Sequence, residues 1–173
     1  MSPLNREIHD SGIIRAEGNL TSGDAHIAVN FEKILKIGLA GYLNEIEKAQ
    51  ISLKSTDKDL VKKLDFYKSL KIGIESFQVF IKRYERLALD LSERETGKIR
   101  KEELLRISKN CGNISHTPPS DFYEALQLTW FVQLVLQIES NGHSVSLGRM
   151  DQYLWKYYKN DISSGRINED LAL

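Results

Sequence analysis

The sequence predicts a mostly helical chain with one or two short strands. Apolar residues recur at three- and four-residue steps over residues 27–50 and again over about residues 57–91, which is the spacing of helices with one buried face. Residues 121–139 are apolar on most sides, so we expect their helix to be a central one. Residues 145–147, Val-Ser-Leu, stand between two glycines and suit a short strand better than a helix.

Composition places the chain among ordinary globular proteins. Its 173 residues are 41% hydrophobic, enough for one domain with its own core, and 24 basic residues balance 24 acidic ones. A neutral chain has no global field that would attract nucleic acid or anionic lipid, so neither is expected as a partner. Cys111 cannot form an intrachain disulfide, which fits a reducing cytosol, and no apolar stretch approaches the roughly 20 residues of a membrane span. We therefore expect a cytoplasmic protein with no membrane partner.

Local signals bound the first long helix. Residues 1–26 are polar and predicted to be irregular, with Asp24 as a candidate N-cap for the helix over residues 27–50. Gly38 and Gly41 fall inside that helix, where each would cost about 1 kcal/mol relative to alanine. Two such costs in one helix predict a neighbour that packs close against its backbone.

The second helix is predicted to be unusually long. Thr56 or Asp57 can cap it, and its apolar steps continue for roughly 35 residues, long for a compact domain. Gly73 lies inside this run, and we expect a kink near it.

A third and a fourth helix follow. The third is predicted over residues 100–109 and is expected to end at Cys-Gly, residues 111–112, in the manner of a C-cap. Two prolines at positions 118 and 119 then break the chain, and Ser120 is a good N-cap for the helix over residues 121–139.

The C-terminal part predicts short elements. Residues 151–161 are dense in aromatic side chains and predict a short helix or turn. Asn168, followed by two acidic residues and an apolar run, is typical of a helix start. Because the chain stops as soon as that helix begins, we expect it to be a truncated piece of a longer protein.

The stretch after the fourth helix has the layout of a binding site. Gly142 and Gly148 permit tight turns and close approach of another group, and His143 and Ser144 lie between them. By pattern alone an alternative is equally compatible: Gly142 caps the helix, and His143 is a core histidine satisfied by the backbone. The four histidines are too scattered along the chain to predict a metal site.

One long run carries a family resemblance. Residues 129–154 read TWFVQLVLQIESNGHSVSLGRMDQYL, and this run closely resembles the glycyl radical enzymes, in particular the pyruvate formate-lyase-type domain of their dehydratase and lyase branches. Residues 24–41, 101–107 and 118–127 also resemble family segments, so the resemblance covers nearly the whole chain. It implies that residues 1–173 are part of the N-terminal half of a larger enzyme, whose fold is a ten-stranded α/β barrel wrapped in helices.

The resemblance also implies what this chain lacks. Enzymes of this family use a glycyl radical near the C-terminus, installed by a separate radical-SAM activating enzyme, to form a thiyl radical on a cysteine. Cys111 lacks the glutamate that usually stands two residues after that cysteine, and no Arg-Val-x-Gly-Tyr loop occurs. We therefore expect this chain to bind no cofactor, to be inactive alone, and to belong to an enzyme that is a homodimer when intact.

Within the family the resemblance favours a dehydratase of glycerol or propane-1,2-diol. By motif, His26 matches a histidine that contacts substrate hydroxyls, and His143 with Ser144 matches a His-Ser pair with the same role. His143 is the expected catalytic residue, because an imidazole with a reference pKa near 6.5 can donate to a departing hydroxyl at neutral pH. Arg149 and Asp151 are expected to form a structural ion pair rather than to bind substrate.

Other interpretations stay open from sequence. Within the family, a formate acetyltransferase or a choline trimethylamine-lyase is the alternative to a polyol dehydratase. Outside catalysis, the chain could be a helical module or a decayed gene product that needs a partner chain. His26 could equally be a loop or capping histidine, and Ser144 an ordinary strand residue.

Overall fold

The computed structural model describes residues 3–12, 26–140 and 144–172. The chain is mostly helical with two short strands, as the sequence predicted. In chain order the elements are α1 (Pro3–Asp10), β1 (Ile27–Ala28), α2 (Phe31–Ile51), α3 (Leu60–Arg94), α4 (Lys98–Ile114), α5 (Phe122–Glu139), β2 (Val145–Ser146), α6 (Met150–Tyr153), α7 (Trp155–Ser163) and α8 (Glu169–Ala172).

Helix α5 is central, as its apolar sequence predicted. It contacts α2, α4, α7 and β2. Burial of one large apolar side chain stabilises the fold by about 1.5–3 kcal/mol, and four helices contribute such side chains to the core around α5. The largest fully buried ones are Phe31, Leu35, Leu39, Ile81, Ile114 and Leu128. The helix is not enclosed on every side, because Trp130 and Ile138 remain 63% and 61% exposed.

Helix α2 begins later than predicted. Residues 27 and 28 were expected in the helix but form β1, and the N-cap is Asn30, whose side chain accepts a hydrogen bond from the Lys33 N–H at 2.9 Å. Asp24, the predicted cap, lies outside the described residues. The asparagine cap lies where the strand ends, so the strand pairing sets the start of the helix.

Gly38 breaks α2 because another part of the chain packs against it. Its φ of 64° and ψ of −177° belong to a region that is essentially restricted to glycine. A Cβ at this position would lie 2.6 Å from the backbone nitrogen of Pro118, so the predicted close neighbour is present. At Gly41 the close neighbour is the side chain of Ile37, in the same helix.

Helix α3 has the predicted length but a different start. It spans 35 residues after Asp59, which has a left-handed φ of 58° and makes no side-chain cap. Neither Thr56 nor Asp57 is therefore the N-cap. The helix continues through Gly73 with helical backbone angles, so the kink predicted there is absent.

Helix α4 continues past the glycine that was predicted to end it. It runs from Lys98 to Ile114, longer at both ends than residues 100–109. A Cβ at Gly112 would lie 2.8 Å from Glu85 Oε1 of α3. Gly112 therefore serves the packing of two helices rather than a C-cap, which only the tertiary structure reveals.

Three carboxylates fix the start of α5. Asp121, rather than the predicted Ser120, is the N-cap and accepts a hydrogen bond from the Glu124 N–H at 2.9 Å. Glu124 is 2% exposed and accepts from Ser120 N at 2.7 Å and from Asn113 Nδ2 at 2.6 Å. Asp161, from α7, accepts from the first backbone N–H of α5 at 2.8 Å. The bonds to Asp121 and Asp161 satisfy two backbone donors that a helix start leaves open, the N–H groups of Glu124 and Phe122.

Near the two ends of the chain, one helix was not predicted from the sequence and the predicted start of another is confirmed. Residues 1–26 were predicted to be irregular, yet α1 forms with Pro3 in its first turn, where proline is tolerated, and with Leu4 and Ile8 one turn apart. Asn168 accepts a hydrogen bond from the Leu171 N–H at 2.9 Å, which confirms the predicted start of α8. Residues 151–161 fall in α6 and α7, consistent with the predicted short helix.

Candidate hydroxyl-binding site

Strands β1 and β2 bring two predicted site residues together. The strands pair in parallel, with Ile27 opposite Val145. His26 precedes β1 and Ser144 precedes β2, so both lie at the same end of the pair, and the Ile27 N–H donates to the Ser144 carbonyl at 3.0 Å. His26 is exposed and Ser144 half-buried, so a small molecule can reach both.

Ser144 has a backbone conformation that its neighbours must hold. Its φ of 55° lies in the left-handed region, which costs a residue with a side chain about 1–2 kcal/mol. The carbonyl of Ser144 is bound by β1, and the next carbonyl, of Val145, accepts a hydrogen bond from Gln133 Nε2 at 3.0 Å. Two successive backbone groups are thus fixed, one by the partner strand and one by helix α5.

A tyrosine fixes the other end of β2. The Tyr153 hydroxyl donates to the Leu147 carbonyl at 2.9 Å, and its ring stacks on Phe31 with centroids 5.1 Å apart. Burial raises the pKa of Tyr153 to about 12, so the hydroxyl remains a donor throughout the physiological range. Gly148 follows with a φ of 65°, and its N–H donates to Ser146 Oγ at 3.1 Å.

Arg149 and Asp151 form the predicted ion pair. Two hydrogen bonds join them, from Arg149 Nε to Oδ1 at 2.9 Å and from Nη2 to Oδ2 at 2.7 Å. The hydrogen bond from Arg149 lowers the pKa of the Asp151 carboxyl. Both side chains are exposed, and the guanidinium already has a bidentate partner, which favours the structural role.

A cleft of about 400 Å³ lies at the opposite end of the strand pair. Its walls include Leu147 and Tyr153, and its charged lining consists of Glu32, Lys36, Arg149 and Lys156. It does not include His26 or Ser144, because residues that precede and follow a strand lie at its two opposite ends. The residues that the resemblance selected are therefore not those that line this cleft.

The third predicted site residue, His143, lies outside the described residues. Of the three predicted site residues, the structure brings His26 and Ser144 together. His143 is adjacent to Ser144 in the sequence. Sequence reasoning missed Gln133 and Tyr153, which hold β2. The available signal for Gln133 was a polar side chain inside a helix that is otherwise apolar on most sides.

Cys111 is not a reactive thiol in this fold. It is fully buried in α4 and receives a hydrogen bond from Gln127 Nε2 at 3.4 Å. Burial, with a smaller contribution from Glu85, raises the pKa of the Cys111 thiol to about 11. A neutral, enclosed thiol is typical of a structural cysteine.

The described residues offer neither a metal site nor a membrane span. Across residues 3–12, 26–140 and 144–172, no group of three or more histidine, cysteine, aspartate or glutamate side chains is placed to hold a metal ion. In the same part of the chain, no helix combines the length and the apolar character that crossing a membrane requires.

This helical fold with its strand pair is similar to part of several solved enzyme structures. The chain resembles two solved structures at TM-scores of 0.84 and 0.82, with 38% and 36% identity, each over 87% of this chain and 19% of the other. The first comes from work on 1,2-propanediol dehydration in Roseburia inulinivorans, and the second is the glycerol-bound B12-independent glycerol dehydratase from Clostridium butyricum. The structural neighbours are glycyl radical enzymes, as the resemblance predicted.

The family assignment follows from the whole sequence. The family model described as pyruvate formate lyase-like matches residues 1–173, and the chain belongs to that family. The Escherichia coli K12 protein named probable dehydratase YbiW is 47% identical over 152 residues, which are 88% of this chain and 19% of that protein. The chain thus spans about a fifth of the length of the curated relatives it matches.

Proposed function

We propose that this chain supplies the hydroxyl-recognition part of a glycyl radical dehydratase that eliminates water from a polyol such as propane-1,2-diol or glycerol. The observation that carries the proposal is the parallel pairing of β1 with β2, which puts His26 and Ser144 at one end of adjacent strands. Adjacent strands lie about 4.8 Å apart, so two side chains there can each reach one of two neighbouring hydroxyls. The propanediol and glycerol chemistry in the names of its structural relatives supports the same substrate class.

The side chains have distinct parts in the proposed reaction. The Ser144 hydroxyl has one donor and two acceptor positions, which suits it to orient the substrate hydroxyl that stays. His26 is a second contact to a substrate hydroxyl. His143 is assigned by motif as the donor to the hydroxyl that leaves, because a neutral or protonated imidazole can stabilise departing water near pH 7.

The radical residues are assigned to another part of the same polypeptide. When present, the family's glycyl radical and thiyl cysteine supply hydrogen abstraction from a substrate carbon. Cys111 does not fit that role, because it is enclosed in α4 with a raised pKa. In this proposal residues 1–173 are the N-terminal part of a pyruvate formate-lyase-type domain and are inactive alone. The intact enzyme is a homodimer served by a separate activating enzyme.

Substitutions in the intact, activated enzyme test the proposal. We expect His143→Gln to lower kcat for propane-1,2-diol by about 10²–10⁴-fold, the range of a lost general acid. Ser144→Ala and His26→Gln are expected to raise KM about tenfold, the size of one net hydrogen bond. Ser55→Ala, an exposed position in the turn between α2 and α3, is the matched control and should change neither constant.

Two results would overturn this function. Full turnover in all three site variants would remove His26, His143 and Ser144 from the site. Turnover of pyruvate or choline in place of a diol would replace the dehydratase with one of the alternative family activities. An immunoblot of source cells bears on the non-catalytic alternative: we expect a band several times larger than 19.8 kDa, whereas a band at that mass would favour a separate helical module.

A further inference from the structure

Gln133 is a buried polar residue whose amide joins the central helix to the candidate site. It is only 8% exposed, and it follows the buried Phe131 and Val132 on α5. Its Nε2 donates to the Val145 carbonyl at 3.0 Å. Because a carbonyl oxygen only accepts, the amide nitrogen must face Val145, so the contact depends on the donor half of the side chain.

The bond acts at the residue that follows Ser144. The Ser144 carbonyl is held by Ile27 of β1, while Gln133 holds the next carbonyl along. Ser144 itself has a φ of 55°, which surrounding contacts must maintain. Loss of the Gln133 donor would leave the Val145 carbonyl without this bond and release one of the two restraints beside Ser144.

The other half of the amide contributes no hydrogen bond to the part of the fold that the structure describes. Gln133 Oε1 is buried and has no hydrogen-bond partner among the described residues. A buried acceptor without a partner is unfavourable, and an aliphatic side chain of the same size would avoid that cost. A glutamine at this position is therefore better explained by what its Nε2 holds than by stabilisation of the core.

We infer that Gln133 is a positioning residue of the hydroxyl-binding site, which sets the backbone of Ser144 through the Val145 carbonyl. This inference rests on the proposed function, because it concerns the same site. Gln133 does not touch substrate in this assignment. It acts by restricting Ser144 to the conformation in which its hydroxyl faces a bound diol.

The test measures binding of propane-1,2-diol by calorimetry to the intact enzyme before activation, so the readout does not depend on the radical. Gln133→Leu removes the donor at similar size, and we expect its dissociation constant to rise about tenfold. Gln127→Leu is the matched control, because Gln127 is an amide on the same helix that contacts Cys111 instead of β2. The control also removes a buried-side amide donor from α5, and it should leave the dissociation constant unchanged even if it lowers the melting temperature more than Gln133→Leu does.

The pH dependence of diol binding to Gln133→Glu gives a second test. A protonated carboxyl can donate to the Val145 carbonyl, whereas an ionised one repels it. The ratio of the diol affinity of Gln133→Glu to that of wild type, taken at the same pH so that contributions of His26 and His143 cancel, should therefore fall as pH rises. The same ratio for Gln133→Leu should stay constant. This dependence would not arise from a general loss of packing.

The outcomes separate the two claims. If Ser144→Ala weakens diol binding while Gln133→Leu binds as wild type and the affinity ratio of Gln133→Glu does not change with pH, the positioning role is wrong and the function stands. If the wild-type enzyme does not bind or dehydrate the diol, the proposed function fails and the inference fails with it.

Discussion

Replacement of Gly38 by alanine tests whether the break in α2 is required by its neighbour. The φ of 64° and ψ of −177° would cost a residue with a side chain about 1–3 kcal/mol. The new Cβ would also lie 2.6 Å from Pro118 N and 2.7 Å from Thr117 C. These are backbone atoms that cannot rotate away, and such overpacking costs on the order of another 1–3 kcal/mol. We expect Gly38→Ala to lower the free energy of unfolding by about 2–6 kcal/mol, the sum of the two costs.

The assay is urea unfolding of the 173-residue chain, followed by far-UV circular dichroism and tryptophan fluorescence. Gly73→Ala is the matched control, because Gly73 lies inside α3 with helical backbone angles, and a Cβ there meets nothing within 4 Å. Alanine is the better helix former, so this substitution should raise the free energy of unfolding by about 0.5–1 kcal/mol. Both variants replace glycine by alanine, but the free energy of unfolding should fall for Gly38→Ala and rise for Gly73→Ala.

Two outcomes would contradict this account of Gly38. If Gly38→Ala unfolds at the same urea concentration as wild type, neither the positive φ nor the approach of Pro118 constrains the fold. If Gly73→Ala is also strongly destabilised, a contact of α3 other than those described here governs that position.

Two further predictions concern buried acidic groups. Glu124→Gln should lower the free energy of unfolding by about 1–3 kcal/mol, because a neutral amide replaces a buried carboxylate that accepts hydrogen bonds from Ser120 and Asn113. The measurement is the same urea assay, and the control is Glu93→Gln, at an exposed position on α3. The raised pKa of Cys111 means that the unfolded chain releases its thiol proton near pH 9.0, whereas the folded chain holds it to about pH 11. Stability should therefore fall as pH rises through this window, by on the order of 1–3 kcal/mol, and Cys111→Ala should remove that part of the pH dependence. An identical pH slope in wild type and Cys111→Ala would contradict this.

Much of the helical framework could be predicted because periodicity and length are local signals. Helix α5, the 35-residue length of α3 and strand β2 follow from apolar spacing and from the residues themselves. Helix ends and glycine roles were predicted less well. Gly112 looked like a C-cap because its contact, Glu85 on α3, is distant in sequence. Sequence could predict a close neighbour at Gly38 but not that the neighbour is Pro118.

The site could be predicted only through resemblance. Residues 27 and 28 fit the periodicity of the following helix, and they form a strand only because β2 pairs with them. That pairing is what places His26 beside Ser144, and no local pattern contains it. Gln133 was recognisable as a polar residue in an apolar helix, but its partner, the Val145 carbonyl, requires the folded structure.

Helix α5 connects the stability of the core to the geometry of the site. Its first turn is fixed by Glu124 and Asp161, and its later turns hold β2 through Gln133. Gln133 lies nine positions after Glu124, a distance of roughly 14 Å along a helix that rises about 1.5 Å per residue. The caps act on backbone donors at one end, whereas Gln133 acts on a single carbonyl next to Ser144. Weakening the bonds of Glu124 to Ser120 and Asn113 with Glu124→Gln should therefore lower stability and leave the diol affinity of the intact enzyme unchanged. Gln133→Leu, in contrast, should change affinity more than stability.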